Sequence, residues 1–435
     1  MSWITNIDTI IFEPKYNEEL DVKLISGFVK LIFSNYELNE KLFEHYTFDD
    51  FNDLKKDEGK FNKDVSNLPL SITYLRFGQA FNKDVSNLPQ NLFRLIFGNK
   101  FNQDVSNLPS SLKCLTFGNK FNQDVSNLPS NLKYLILGSE FNKDVSNLPQ
   151  TLTNLTLSWY FNQDVSNLPQ SITNLTFREY FNRDVSNLPP TLTYLEFGGK
   201  FNQDVSNLPR TITNLSFGRK FNQDISMLPQ TLKCIKIWNN VDIIKLPQSI
   251  THLVLLGDFN QDVSILPPTL THLTFGWSFN QDVSSLPHSI THLEFGHHFN
   301  QDISNLPPTI SHLTLGFEFN KENNIPSNIK VLTLNCNNSY IINSLPNSII
   351  KLVLEKCFNL QMDNLPTSIK ILKICKCSDY NMDLNCLPDF IEELQLNHNY
   401  KKRILQIPTN LKKIKCHKSY PYINDFAMCD IETYD

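Results

Sequence analysis

The sequence predicts a mainly β protein, an elongated solenoid of ~20-residue turns with a parallel sheet along one face. Three observations predict it. The first is a period. The dipeptide Phe-Asn recurs every twenty residues from Phe61 through Phe221, nine times without a slip. After one shortened copy, "VDIIKLP", it resumes at Phe259, Phe279, Phe299 and Phe319. The Pro that closes each Leu-Pro or Ile-Pro keeps the beat for eighteen units, from Pro69 to Pro408. The second is the pattern inside a unit. "LKCLTF" (Leu112 to Phe117) ends in the apolar–polar alternation of a short half-buried strand, and no stretch has the room or periodicity of a long helix. The third is insufficiency. The apolar side chains of one turn bury too little surface to offset the ordering of twenty residues, so neighbouring turns must supply the rest by stacking.

Each letter of the unit Phe101 to Lys120 then has a place. Phe101, Val105 and Leu108 point inward on the return path. Pro109 offers no ladder donor and fits a bend leading into the strand. Between that Pro and the strand stands a short polar residue (Ser111, Asn131, Thr151, Ser171), expected to bond nearby backbone and fix the bend. Leu112, Leu115 and Phe117 form the buried side of the strand. Glycine follows in many units (Gly78, Gly98, Gly118, Gly138), where positive φ or a close backbone approach is required. Stacking at ~4.8 Å per rung makes Phe77 and Phe81 each head a column of aromatic rings.

The chain organises into four stretches. Residues 61–320 carry the regular repeats, 321–415 divergent ones, and 416–435 a C-terminal tail. Residues 1–60 are expected to be worn turns forming a cap. "IDTIIFEPKYNEEL" lays Ile7, Ile10, Phe12, Tyr16 and Asn17 over Ile72, Leu75, Phe77, Phe81 and Asn82, and "FVKLIFSNYELN" is a second worn copy.

Bulk properties exclude several classes. The 435 residues have a net charge of −5 and no long basic run, which argues against a nucleic-acid surface. No run approaches the ~18 apolar residues of a membrane span, and "MSWITNIDTI" lacks the basic and apolar regions of a secretory signal. The nine cysteines are an odd number, seven of them after residue 330, which points to a reducing, cytoplasmic setting. Glycine-rich phosphate loops, His-Glu-x-x-His and Gly-x-Ser-x-Gly are missing, so no catalytic residue, cofactor or small-molecule substrate is expected.

"LPSSLKCLTFGNKFNQDVSN" resembles the FNIP repeat, a relative of leucine-rich repeats found in social amoebae and in giant viruses of amoebae. The "LP-x-x-L-x-x-L-x-L" half is similar to the short leucine-rich repeats of bacterial effectors. Past the strand the chain departs from ordinary leucine-rich repeats, because Asn122 follows Phe117 by five residues instead of three. The resemblance implies a leucine-rich-repeat-like solenoid. It also implies, through the F-box that family members often carry, a ubiquitin-ligase adaptor whose repeats choose the target. Residues 1–60 show no Leu-Pro-x-Glu opening and no three-helix F-box pattern.

Function is expected in the letters that drift. The outward column before the second strand Leu reads Tyr74, Arg94, Cys114, Tyr134, Asn154, Asn174, Tyr194, Asn214 and Cys234, then His252, His272, His292 and His312. The next outward column reads Arg76, Ile96, Thr116, Ile136, Thr156, Thr176, Glu196 and Ser216. Varied chemistry on an unvarying frame is how solenoids present binding surfaces, and Tyr and Arg are typical interface anchors. Tyr74, Arg94, Tyr134, Tyr194, Glu196 and the four His are therefore the candidate residues for a protein partner; a self-assembling element that adds end to end through its sheet edges is the alternative. The His column could ligate Zn²⁺ or Cu²⁺, but a copied "THL" unit explains it as well, and no metal site is assigned. The Asp column from Asp64 to Asp302 fits a local turn better than a calcium ladder. Cys357 and Cys377 fall at matching positions of neighbouring turns, within reach of a disulfide or shared metal, with Cys336, Cys375 and Cys386 nearby; isolated thiols are the favoured reading.

Overall fold

A computed structural model describes residues 3–5, 9–12, 15–33 and 59–434. The chain divides into two compact units, Met1–Thr231 and Leu232–Asp435, and the division falls beside the shortened repeat.

Among the described residues of the first unit, each turn contributes one short strand. They are Thr9–Phe12, Lys30–Ile32, Tyr74–Arg76, Arg94–Ile96, Cys114–Thr116, Tyr134–Ile136, Asn154–Thr156, Asn174–Thr176, Tyr194–Glu196 and Asn214–Ser216. Each pairs in parallel with the next, and equivalent repeat positions are partners: Lys30 with Tyr74, Tyr74 with Arg94, Leu75 with Leu95. Trp3–Thr5 precedes them, antiparallel to Thr9–Phe12. Residues 34–58, part of the segment expected to form worn turns and the place where an F-box pattern was sought, lie outside the described residues.

The second unit repeats the scheme. Parallel pairing runs from Cys234–Ile237 through His252–Leu255, His272–Phe275, His292–Glu294, His312–Leu315, Val331–Leu334, Lys351–Leu354, Ile371–Ile374, Glu393–Gln395 and Lys413–His417. The C-terminal tail read from the sequence carries a strand. Asp430–Tyr434 adds a parallel strand to Lys413–His417, and the buried Tyr434 hydroxyl donates to the Leu396 carbonyl. Two return paths carry small helices, one in the shortened repeat and one in a repeat of regular length. Asp242 caps a 3-10 turn at Ile243–Lys245, and Asn338 Oδ1 accepts the Ile341 N–H at the start of a helix over Ser339–Asn343.

The interior is a pair of ring columns. Phe77 and Phe81 of one turn stack at 3.7 Å, and each meets its equivalent in the next turn, Phe97 at 5.7 Å and Phe101 at 6.1 Å. The columns start before Phe77 and Phe81, where the overlay of Phe12 and Tyr16 on those two rings puts them. Phe12 and Phe33 precede Phe77, and Tyr16 and Phe61 precede Phe81. In the divergent repeats Phe358, Tyr380, Tyr400 and Tyr420 continue the same device at 6.1 to 6.5 Å. Such offset stacks are the favoured geometry of aromatic pairs.

Two polar ladders flank this core. In most of the regular repeats the Asn of Phe-Asn accepts, through Oδ1, the backbone N–H of the Asn one turn later: Asn102 N to Asn82 Oδ1 at 2.9 Å, Asn122 N to Asn102 Oδ1 at 2.9 Å. Asn17 is its first rung, accepting from Asn62 N at 2.9 Å. The short polar residue after each Pro also reaches across turns. Ser111 Oγ donates to the Leu92 carbonyl at 2.7 Å and Thr151 Oγ1 to the Leu132 carbonyl at 2.8 Å, so these hydroxyls tie turns together instead of fixing their own bend. The bend itself is closed by backbone, Leu112 N to Pro109 O at 3.1 Å. Among the described residues, only Gly27 and Gly257 take positive φ. The glycines after the strands answer to close approach: a Cβ on Gly98 would lie 2.1 Å from the Gly78 carbonyl oxygen.

Candidate functional site

The parallel register places the drifting letters of each unit side by side on the strand face. Tyr74 and Arg94 are partners on adjacent strands, with the Arg94 guanidinium carbon 5.8 Å from the Tyr74 ring centre. The half-buried Arg94 is followed by Cys114, which is buried, and then by Tyr134, 39% exposed. Asn154 and Asn174 separate Tyr134 from Tyr194. The Tyr194 hydroxyl donates to Glu196 Oε2 at 2.7 Å, so these two act as one hydrogen-bonded group.

The second outward column departs from expectation. Arg76 is 1% exposed, and Ile96 and Ile136 are buried as well. Alternation assigns a side of the sheet; it does not tell what covers that side. Thr116, Thr156, Thr176, Glu196 and Ser216 remain partly open.

In the second unit His252, His272, His292 and His312 stack face to face, with ring centres 4.1, 4.1 and 4.0 Å apart. Each Nδ1 lies 2.9 Å from the hydroxyl of the preceding Thr or Ser. That hydroxyl gives its only proton to a carbonyl of the previous turn, as Thr271 Oγ1 does to Thr251 O at 3.0 Å. Where the hydroxyl proton goes to that carbonyl, the ring nitrogen is the donor at this contact and Nε2 is left as the acceptor. The stacked rings carry their lone pairs side by side.

Burial, and then the other His rings, push His272 down to about 4; burial lowers His292 and His312 too. The unfolded chain, with ordinary histidines, binds more protons between about pH 6.5 and 4. Stability from this column is complete above that window and is lost as pH falls through it. The thermal midpoint should fall between pH 7 and 5, and a His272→Asn variant should show a flatter dependence; superimposable pH curves would refute the assignment.

The Asp column serves local turns. Ser66 N and Oγ donate to Asp64 Oδ1 and Oδ2 at 3.1 and 2.6 Å, and Ser106 repeats this on Asp104 at 3.1 and 2.6 Å. The Ser hydroxyl and then the Ser backbone N–H hold these carboxyls below their usual range. Among the late cysteines, the pair brought together is Cys375 and Cys377, with Sγ atoms 2.9 Å apart; the sequence sets Cys357 and Cys377 within reach of one another but favours isolated thiols. Burial, then the Cys377 contact, pushes the Cys375 thiol up to about 11.

The sequence reading missed a cluster just past the strands of the second unit. Trp277, His297 and Phe317 occupy one repeat position and stack at 4.1 and 4.8 Å, and His298 and Glu318 share the next. His298 Nδ1 lies 2.8 Å from Glu318 Oε2. The signal was available: residues twenty apart are neighbours here, so "HH" at 297–298 meets Glu318 one turn on.

One short strand per ~20-residue turn, parallel pairing between equivalent positions and a column of buried Leu define a leucine-rich-repeat-like solenoid. The FNIP repeat matches the sequence ten times, in adjoining or overlapping spans from residue 61 to residue 357, and the chain belongs to the FNIP repeat family. Among solved structures it is similar to CroV588, a giant-virus protein described as a novel circular leucine-rich-repeat structure. The identity is 29%, over 97% of this chain and 77% of that one, with a TM-score of 0.61. A chain of the mouse RP105/MD-1 complex shares the fold at 14% identity, covering 86% of this chain and 81% of its own, with a TM-score of 0.52. YopM from Yersinia enterocolitica WA-314 aligns at 18% identity over 82% of each chain, with a TM-score of 0.38. No curated protein matches the sequence. No helix among the described residues is long and apolar enough to cross a membrane.

Proposed function

We propose that the chain is a noncatalytic scaffold that binds a protein partner through the outward strand face. The observation that carries this reading is the contrast within one strand. Leu75, Leu95, Leu115 and Leu135 are at most 1% exposed and never vary, while their neighbours Tyr74, Arg94, Cys114 and Tyr134 change at every turn. A side chain on this face is held at fixed spacing by ladders on either side, so a partner meets an ordered surface and loses less entropy on binding. Tyr134, exposed, and the Tyr194–Glu196 pair offer apolar area with a polar tip, the chemistry that anchors protein interfaces. The His and Asp letters are engaged in stacks and turns that repeat from rung to rung and do not converge on a reacting centre.

Affinity capture from the native cell tests it, with the full chain and a Tyr134→Ala/Tyr194→Ala variant side by side. Loss of an interface aromatic should weaken a captured partner about tenfold or more, from a truncation cost of about 2 kcal/mol. Equal retention of every captured protein by the variant would remove the strand face from consideration.

A further inference from the structure

We propose that His297, His298 and Glu318 form a binding site for a divalent first-row transition-metal ion, with Zn²⁺ as the reference ion. The proposal is independent of the strand-face reading and lies outside the His column.

The geometry is what separates this cluster from a surface ion pair. His297 Nδ1 and His298 Nδ1 lie 3.4 Å apart, and both face the Glu318 carboxylate, at 3.8 Å to Oε1 and 2.8 Å to Oε2. The three ligand atoms fall within 4.8 Å of one another. Zinc–nitrogen bonds of about 2.0–2.1 Å set tetrahedral ligand nitrogens about 3.3–3.4 Å apart, so the two imidazoles already stand at a coordination edge. The carboxylate must withdraw slightly from His298 to admit an ion, and at 47% side-chain exposure it is free to do so. Two imidazole nitrogens and a carboxylate suit zinc and its neighbours, not calcium or magnesium, which take oxygen ligands.

The surroundings orient the set. The Trp277 ring stacks on His297 at 4.1 Å and 14°, and Phe317 closes on it at 4.8 Å, so the His297 imidazole is held between two aromatic faces one rung apart on either side. His298 and Glu318 hold equivalent positions of consecutive turns, so the backbone stack itself sets their separation. Three protein ligands leave coordination positions for water or for a donor from another molecule. Glu318 and Phe317 also line a shallow pocket with Asn300, Asn320 and Asn337, which leaves the carboxylate side of the cluster open to solvent.

The test is calorimetric titration of Zn²⁺ into the reduced full-length chain. Wild type should show a site that is weakened at least about tenfold in His298→Ala and in Glu318→Gln, since even loss of an outer-shell partner costs a metal site that much. His292→Ala, in the stacked column, should titrate as wild type. Glu318→Gln keeps shape at an exposed position, so its fold is preserved even if His298→Ala is damaged; metal-free circular dichroism checks both. No zinc uptake by wild type, unchanged titration of both cluster variants, or loss of the site on Cys375→Ser instead would overturn the proposal.

Discussion

Replacing Phe101 with Ala is expected to destabilise the protein by about 3–5 kcal/mol, the range for emptying a buried aromatic site. Phe101 is fully buried and touches four rings: Phe97 at 3.7 Å, Phe81 and Phe121 at 6.1 Å, and Phe117 at 6.4 Å. Deleting it removes the contact within its own turn and both contacts along its column. The rings above and below cannot collapse into the gap, because their spacing is set by strand and Asn ladders that do not shorten. Phe101→Leu, which keeps most of the volume, should lose far less. Denaturant unfolding of the two variants reads this out. A loss below ~1 kcal/mol for the Ala variant would mean that the columns pack adaptably, more like a liquid than a crystal.

Gly98→Val is expected to be the next most damaging change, at about 1–3 kcal/mol for forced overpacking. The first side-chain carbon would run into one peptide group of the previous turn: Gly78 O at 2.1 Å, Gly78 C at 2.4 Å and Gln79 N at 2.8 Å. None of these atoms can rotate away, so the turn itself must shift. The chain shows that such a shift is achievable, because Ser158 stands in the same column, buried, with its hydroxyl donating to the Phe141 carbonyl. Ser brings one small polar atom that finds an acceptor; Val brings two methyl groups that find none. Gly98→Ser should therefore be milder than Gly98→Val in the same unfolding measurement, and equal losses would show that the branched volume is not the cause.

The frame of this molecule was readable because the period does two things at once. Twenty residues between Phe81 and Phe101 fix both the turn length and the partner across the rung, so register, core and the direction of Leu115 or Val105 follow without further information. The overlay of Tyr16 and Asn17 on Phe81 and Asn82 worked for the same reason: Tyr16 sits in the ring column and Asn17 in the ladder. What the letters do to one another was harder to see. The Asn of Phe-Asn looks like a turn residue until its Oδ1 is seen holding the N–H of the next turn. Arg76 has the address of an outward residue and is buried all the same, because alternation is a property of the strand and coverage belongs to the rest of the chain. The His297–His298–Glu318 cluster was legible in principle and hidden by the more conspicuous "THL" column. The Cys375–Cys377 contact joins two residues of one turn, a relation that matching positions of neighbouring turns does not expose.

The changing interval between paired strands has one further consequence. Partners are twenty residues apart through the regular repeats, but His252 pairs with Cys234, Val331 with His312 and Glu393 with Ile371, intervals of 18, 19 and 22 residues. The strand face absorbs none of that difference. In the 18-residue interval it is taken up on the opposite wall, where Ile243–Lys245 coils into a 3-10 turn. Mutation can therefore lengthen or trim one wall of the coil residue by residue, while the other advances only by whole rungs and keeps every displayed side chain in step with its neighbours.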